Sequence, residues 1–237
     1  RCLKRRRTYC FKIMIEIIPA VMPKNFDDLA EKAGIFAGVV PLIQLDIMDG
    51  KFVSARTWPY HPGDEYFKEV LSEERGMPEW DILDFEADLM IEKPEEHVLK
   101  WVIAGACRII VHIEGMKDFE TIRKIVPKGL IELGLAINTT TPLKALEPYL
   151  DRIDFVQCMG IERIGFQGEA FDTRVLDHVR ALHALRPEMP ISIDGGVNLK
   201  TAEMLVEAGA TRLVAGSAIL KSGDVSLAVL EMRNLVS

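Results

Sequence analysis

The sequence contains no apolar run of the roughly 18 residues that a membrane-spanning helix requires, so a bilayer is not among the expected partners. It is poor in cysteine. Cys2, Cys10, Cys107 and Cys158 form no CxxC pair and none of the density of a disulfide scaffold, which favours free thiols in a reducing compartment, the cytoplasm. Positive charge is in deficit as well. Twenty-nine Lys and Arg against 36 Asp and Glu leave a net charge of −7, whereas a nucleic-acid surface needs a basic stripe. No Pro/Gly/Ser-rich linker, low-complexity tract or repeat of 20–50 residues divides the chain, and one domain is expected.

The first thirteen residues run against the acidic balance, with Arg1, Lys4, Arg5, Arg6, Arg7 and Lys12 ahead of Met14. They carry no apolar core of a signal peptide and read as a basic extension outside the fold, which leaves residues 14–237 as the domain.

Within that span, strand-like apolar runs alternate with helical stretches. Ile15 to Ala20 is followed by Asn25, a helix N-cap for Phe26 to Ala33. Pro41 to Ile47 ends in a loop holding Asp49-Gly50 and Trp58 to Pro62, before a helix expected over Glu65 to Glu74. A third strand lies within Asp81 to Met90, and its helix starts at Pro94 and runs to about Ala104. Arg108 to Ile113, Ile131 to Ile137, Phe155 to Met159, Ile191 to Asp194 and Arg212 to Ala215 complete eight strands. Near-continuous runs such as Ile109-Ile110-Val111 suit a parallel sheet covered by helices. The expectation is a single (β/α)8 TIM barrel, with an open doubly wound sheet as the competing topology.

In such a barrel chemistry sits where strands end. The polar residues there are Gln44, Asp46, Asp49, Asp88, His112, Glu114, Asn138 and Asp194. Gln44 and Asp46, two apart on a strand, share a face; Leu45 and Ile47 suit the helix layer, so Gln44 and Asp46 point into the mouth. Asp49 before Gly50 reads as a turn residue. His112 on an apolar strand reads as a core histidine. His61 and His97 show no metal-ligand spacing and read as surface residues, and no Ser-His-Asp or Cys-His arrangement is visible.

Three glycine-bearing segments follow strands six, seven and eight: Gly165-Phe166-Gln167-Gly168, Gly195-Gly196 and Gly216-Ser217. Backbone amides of such late loops are where barrels hold phosphate. A small phosphorylated compound is the expected ligand.

The segments Ile18-Pro19-Ala20, Leu45-Asp46-Ile47-Met48-Asp49-Gly50-Lys51-Phe52-Val53, Asp88-Leu89-Met90-Ile91-Glu92-Lys93-Pro94, Asp194-Gly195-Gly196-Val197-Asn198 and Val214-Ala215-Gly216-Ser217-Ala218 together resemble the ribulose-phosphate 3-epimerase family. The resemblance runs from about Ile15 to Leu235. It implies a ribulose-phosphate-binding barrel that epimerises a ketose phosphate, of the ribulose 5-phosphate and xylulose 5-phosphate type, beside the carbonyl through an enediolate. Asp46 and Asp194 would be the acid/base pair, and Met48 and the glycines at 165, 168, 195, 196 and 216, with Ser217, would surround substrate and phosphate. A homo-oligomer is expected and no organic cofactor.

The departures are equally specific. The resemblance implies a metal site of two histidines and two aspartates, but Gln44 and Asp88 stand at the histidine positions. A set of Gln44, Asp46, Asp88 and Asp194 offers only oxygen, which favours Mg2+ or Mn2+ over Zn2+. Without an ion, one carboxylate should titrate high or pair with a cation such as Lys51 or Arg163. Ala20 stands where a serine is expected, and Gly160 to Ile164, ahead of Gly165, form a longer loop. These changes leave open a non-catalytic phosphosugar-binding homologue or an epimerase-like enzyme with another sugar phosphate. A decarboxylase-type activity is disfavoured, because no Asp-x-Lys-x-x-Asp pattern ends strand two.

Overall fold

A computed structural model describes residues 14–62, 65–166 and 168–237; the expectations for residues 1–13 and for Gln167 lie outside them. Eight parallel strands pair in sequence order and β1 closes on β8. They are β1 (Glu16–Val21), β2 (Leu42–Met48), β3 (Asp84–Met90), β4 (Arg108–His112), β5 (Glu132–Ile137), β6 (Phe155–Met159), β7 (Ile191–Asp194) and β8 (Arg212–Ala215). The helices are α1 (Phe26–Phe36), α2 (Tyr66–Leu71), α3 (Val98–Ile103), α4 (Phe119–Ile125), α5 (Arg174–Leu185), α6 (Ala202–Ala208), α7 (Ser217–Leu220) and α8 (Val225–Leu235). The expected barrel is the one observed, and the open sheet is excluded by the β1–β8 pairing.

Side-chain alternation explains how continuous apolar strands serve two layers. Ile109 and Val111 of β4 join the main core between barrel and helices, while Ile110 turns inward onto Ala136 and Phe155. On β2, Leu45 and Ile47 enter the same outer core, which leaves Gln44, Asp46 and Met48 on the other face. Asn25 caps α1 as expected, its side chain accepting from Asp28 N at 2.8 Å.

Two helices are shorter than the sequence suggests. The stretch Glu65 to Glu74 yields only α2, because Glu73 adopts φ 62, a left-handed conformation that ends the helix. After Pro94 the chain makes a single 3-10 turn, Pro94–Glu96. His97, at φ −120 and ψ −25, then interrupts it before α3 begins. Trp58 packs into the core against Phe26, Phe67 and Trp101, and Tyr60 bonds His97 at 2.9 Å, so Trp58 and Tyr60 of the β2–α2 loop pack locally.

The amino-terminal end of the barrel carries an ionic cluster. Arg108 Nη1 lies 2.9 Å from Glu16 and 3.3 Å from Glu86, and Arg212 Nη2 lies 2.8 Å from Glu132. Arg212 also stands over the Phe155 ring. No helix among the described residues is long and apolar enough to cross a membrane.

Candidate active site

The parallel register sets Asp46 beside Asp88 and Met159 beside Asp194, so three strand ends deliver carboxylates to one mouth. Thr57 fixes the end of β2: its hydroxyl accepts from Met48 N at 2.9 Å and donates to Asp46 O at 2.6 Å. Asp49 has a turn role, as read from the sequence. Its Oδ1 accepts from Lys51 N and Phe52 N, and its Oδ2 from Glu92 N.

Gln44 is fully buried, and its amide joins two acids. Nε2 donates to Asp46 Oδ1 at 2.9 Å and to Asp194 Oδ2 at 3.0 Å. A second polar chain holds the third acid. Asp88 Oδ1 meets His112 Nε2 at 3.1 Å, Asp88 Oδ2 accepts from Gln157 Nε2 at 3.1 Å, and Ser192 Oγ donates to Gln157 Oε1 at 3.3 Å. All four are buried. A buried charge is tolerable only with such donors around it.

Electrostatics follow from this packing. Burial, then the nearby charges of Asp194 and Asp88, hold the Asp46 carboxyl well above the usual carboxylate range. Burial and Asp88 push Asp194 up to about 7, opposed by the Gln44 hydrogen bond. His112 is raised: burial works against its charge, but Asp88 outweighs it.

The acids meet a cleft of about 330 Å³. Asp46 and Asp194 line it with Ala20, and the glycine-bearing loops contribute Gly165, Gly168, Gly195, Gly196, Gly216 and Ser217. Gly195 and Gly196 take φ of 98 and 70, and a Cβ at either would meet Ile161 or Phe171 within 3 Å, so a side chain is doubly excluded from this wall. Met48 does not itself line the cleft: it is buried against Val53 and against Met90, which does.

Other placements depart from the sequence reading. The acids pair with Gln44, His112 and Gln157, whereas Arg163 faces Glu169, because the longer loop carries its guanidinium onto the Phe166 ring. Glu114 and Asn138, although at strand ends, tie loops: Glu114 accepts from Asn138 N and Thr141 Oγ1. Sequence reasoning read His112 as a core histidine, which its full burial bears out, and passed over Gln157 and Ser192. The signal was a polar residue breaking an apolar strand on the same face as a strand-end site: Ser192 is two before Asp194, and Gln157 two before Met159. Cys107 and Cys158 are free, and burial pushes both thiols up to about 12.

The site's fit to a metal can be judged from its donors. Asp46, Asp88 and Asp194 each present a carboxylate oxygen, all within 4.8 Å of one another, and the buried Oε1 of Gln44 has no hydrogen-bond partner. This all-oxygen set fits a hard divalent cation.

Comparison with known proteins agrees with the geometry. The ribulose-phosphate 3 epimerase family matches residues 16–220. The ribulose-phosphate 3-epimerase of Bacillus subtilis is 31% identical over 226 residues, 93% of this chain and 99% of the relative. The chloroplastic ribulose-5-phosphate-3-epimerase of Arabidopsis thaliana is 33% identical over 91% of this chain and 75% of its own. Among solved structures, a 3-hexulose-6-phosphate synthase superposes with TM-score 0.67 at 20% identity, covering 94% of this chain and 100% of its own. KGPDC from Streptococcus mutans in complex with D-R5P superposes with TM-score 0.69 at 14% identity, covering 94% and 97%; these two likenesses concern the fold. With a family match across most of the barrel and relatives above 30% identity over nearly its whole length, the chain belongs to the ribulose-phosphate 3-epimerase family and is a carbohydrate isomerase.

Proposed function

We propose that the chain interconverts ribulose 5-phosphate and xylulose 5-phosphate, with Asp46 and Asp194 as its acid and base. Epimerisation beside a carbonyl needs a carboxylate to take a proton from one face and a carboxylic acid to return one from the other. Burial and neighbouring carboxylates push both acids upward, Asp194 to about 7, while a shared amide holds them together, an environment in which one acid can carry a proton while the other is ionised. The Gln44 bridge between Asp46 and Asp194 is the observation that carries this reading.

The remaining parts follow from placement. The backbone amides at Gly196, Gly216 and Ser217 border the same cleft and suit the phosphate. The substrate's carbonyl end then lies against the acids, with Ala20 leaving room where a hydroxyl could have touched it. His112, Gln157 and Ser192 keep Asp88 oriented. A divalent ion would be held by the Asp46, Asp88 and Asp194 carboxylates, with the Gln44 carbonyl joining them once its amide turns over and releases the two acids, and would supply positive charge beside the oxygen on which negative charge develops. Mg2+ or Mn2+ suits these donors better than Zn2+, which favours nitrogen and sulfur.

The test is carbon NMR of ribulose 5-phosphate incubated with the protein. Xylulose 5-phosphate should appear, with and without added Mg2+ or Mn2+ distinguishing the role of the ion. Saturable binding with no product in either condition would replace this reading with that of a binding protein or another sugar phosphate.

A further inference from the structure

The cleft offers a phosphate dianion backbone donors but no side-chain cation. Among the described residues that line it, the charged side chains are Asp46, Asp194 and Glu169, all acidic. Lys200 lines a different cleft, near α8. A dianion entering a cleft whose charged side chains are all acidic is repelled unless a positive group joins it, and the more so where water is excluded.

Two arginines lie between the end of β6 and the first residue of α5: Arg163 in the connecting loop and Arg174 at the start of the helix. Arg174 is fully engaged. Its Nε lies 3.0 and 2.9 Å from the two oxygens of Asp172, and its Nη2 lies 2.6 Å from Asp172 and 2.5 Å from Glu162. Leaving that arrangement would break four close contacts.

Arg163 is held differently. Its Nη1 is 3.9 Å from Glu169 Oε1, too long for a hydrogen bond, and its side chain is 67% exposed. Its guanidinium carbon stands 4.8 Å from the centre of the Phe166 ring. Phe166 and Glu169 both line the cleft, so the fork of N–H donors rests at the rim, supported from below by an aromatic face and opposed by one weakly engaged carboxylate. Exposed ion pairs of this kind contribute little and exchange readily. Phosphate takes a guanidinium through two parallel charge-assisted hydrogen bonds, which a 3.9 Å contact with Glu169 does not match.

We propose that Arg163 is a side-chain ligand of the substrate's phosphate, reached when the guanidinium exchanges Glu169 for the anion while remaining on Phe166. The identity of the phosphate as part of a sugar rests on the function proposed above; the assignment of Arg163 to an anion does not. It also gives the longer Gly160 to Ile164 loop a use, since Arg163 lies within it. Glu169 becomes a competitor that holds the arginine at the rim between turnovers.

Inorganic phosphate is the probe, titrated calorimetrically into the full chain at low salt, with Arg163→Met, Arg163→Lys and Glu169→Gln beside the unaltered protein. Arg163→Met should weaken phosphate about 10-fold or more, and Arg163→Lys less, because an ammonium keeps the charge but not the fork. Glu169→Gln should tighten it. The KM for ribulose 5-phosphate should rise in Arg163→Met by a similar factor with kcat unchanged. Because Arg163 is exposed, the variant keeps the fold. Phosphate binding equal in Arg163→Met and the unaltered protein overturns the assignment, even if the protein is an active epimerase. Binding that depends on Arg163 in a protein that does not convert ribulose 5-phosphate upholds the assignment and removes the epimerase reading instead.

Discussion

Gln44 Nε2 lies 3.0 Å from Asp194 Oδ2, across 150 residues of sequence, while the same nitrogen lies 2.9 Å from Asp46 Oδ1. One neutral amide thereby binds the two acids proposed to act on opposite faces of a substrate. It favours the charged form of each, in opposition to burial. Replacing it by a group that cannot donate should therefore move both acids further upward. For Gln44→Leu, the pH at which kcat/KM reaches half its maximum should rise by about one unit, the size a lost hydrogen bond to a charged group produces. An unchanged profile would show that the amide is not coupled to the reacting pair.

The pH profile of the unaltered protein carries its own prediction. With Asp194 at about 7, the ionised base is lost as pH falls through 7, and ion-free activity should fall with it. A bound cation favours the carboxylate, and its binding releases protons. Saturating Mn2+ or Mg2+ should shift that break to lower pH. Proton release on adding the ion, followed with an indicator dye, checks the same linkage without measuring turnover.

Glu86 supplies a stability prediction at the opposite end of the barrel. It is fully buried, its Oε1 has no partner, and burial pushes it up from 4.5 to about 7 despite Arg108 and Arg212. A folded-state pKa above the unfolded one means that the folded protein holds this proton more tightly. The stabilisation is complete below about 4.5 and is lost as pH rises to about 7. The loss is roughly 3 kcal/mol for a group this deeply buried. Urea unfolding at pH 5 and pH 8 should show a larger fall in stability for the unaltered protein than for Glu86→Gln, which carries no titratable proton there; equal falls would contradict the account.

The chain of Ser192, Gln157, Asp88 and His112 should be costly to interrupt. Gln157→Leu leaves one oxygen of a buried carboxylate without its donor, and His112→Leu removes the partner of the other. Losing one partner of a buried charge destabilises by about 3–5 kcal/mol, and losing a neutral donor by about 1–3 kcal/mol. Chemical denaturation should therefore rank His112→Leu below Gln157→Leu, and Gln157→Leu below the unaltered chain.

The barrel was legible because each strand announces itself as a short apolar run between turn residues, and because Asp46, Asp194 and the late glycines fall where strands end. The direction of Gln44 was legible too, since period-two alternation with Leu45 and Ile47 sets it. What Gln44 touches was not, because strand spacing along the chain says nothing about which atoms meet across a closed lumen. The same limit hid Gln157 and Ser192, each a single polar residue in an apolar strand, and, although His112 is the core histidine expected, hid its partner Asp88. Met48 shows the reverse. Its motif implies contact with substrate, whereas in the structure it is buried against Val53 and Met90, and it is Met90 that lines the cleft. The helix ends at Glu73 and His97 depended on local backbone conformations that no periodicity reveals.

The central claim is that one of Asp46 and Asp194 removes the proton from one face and the other returns a proton from the opposite face. Proton NMR of ribulose 5-phosphate in D2O, following the hydrogen at C3, tests it most directly. The unaltered protein should exchange that hydrogen for deuterium and form xylulose 5-phosphate, and Asp46→Asn and Asp194→Asn should each slow epimerisation about 10²–10⁴-fold. If both variants exchange and epimerise at the rate of the unaltered protein, or the unaltered protein binds the sugar phosphate without exchanging C3, the two-aspartate account is wrong.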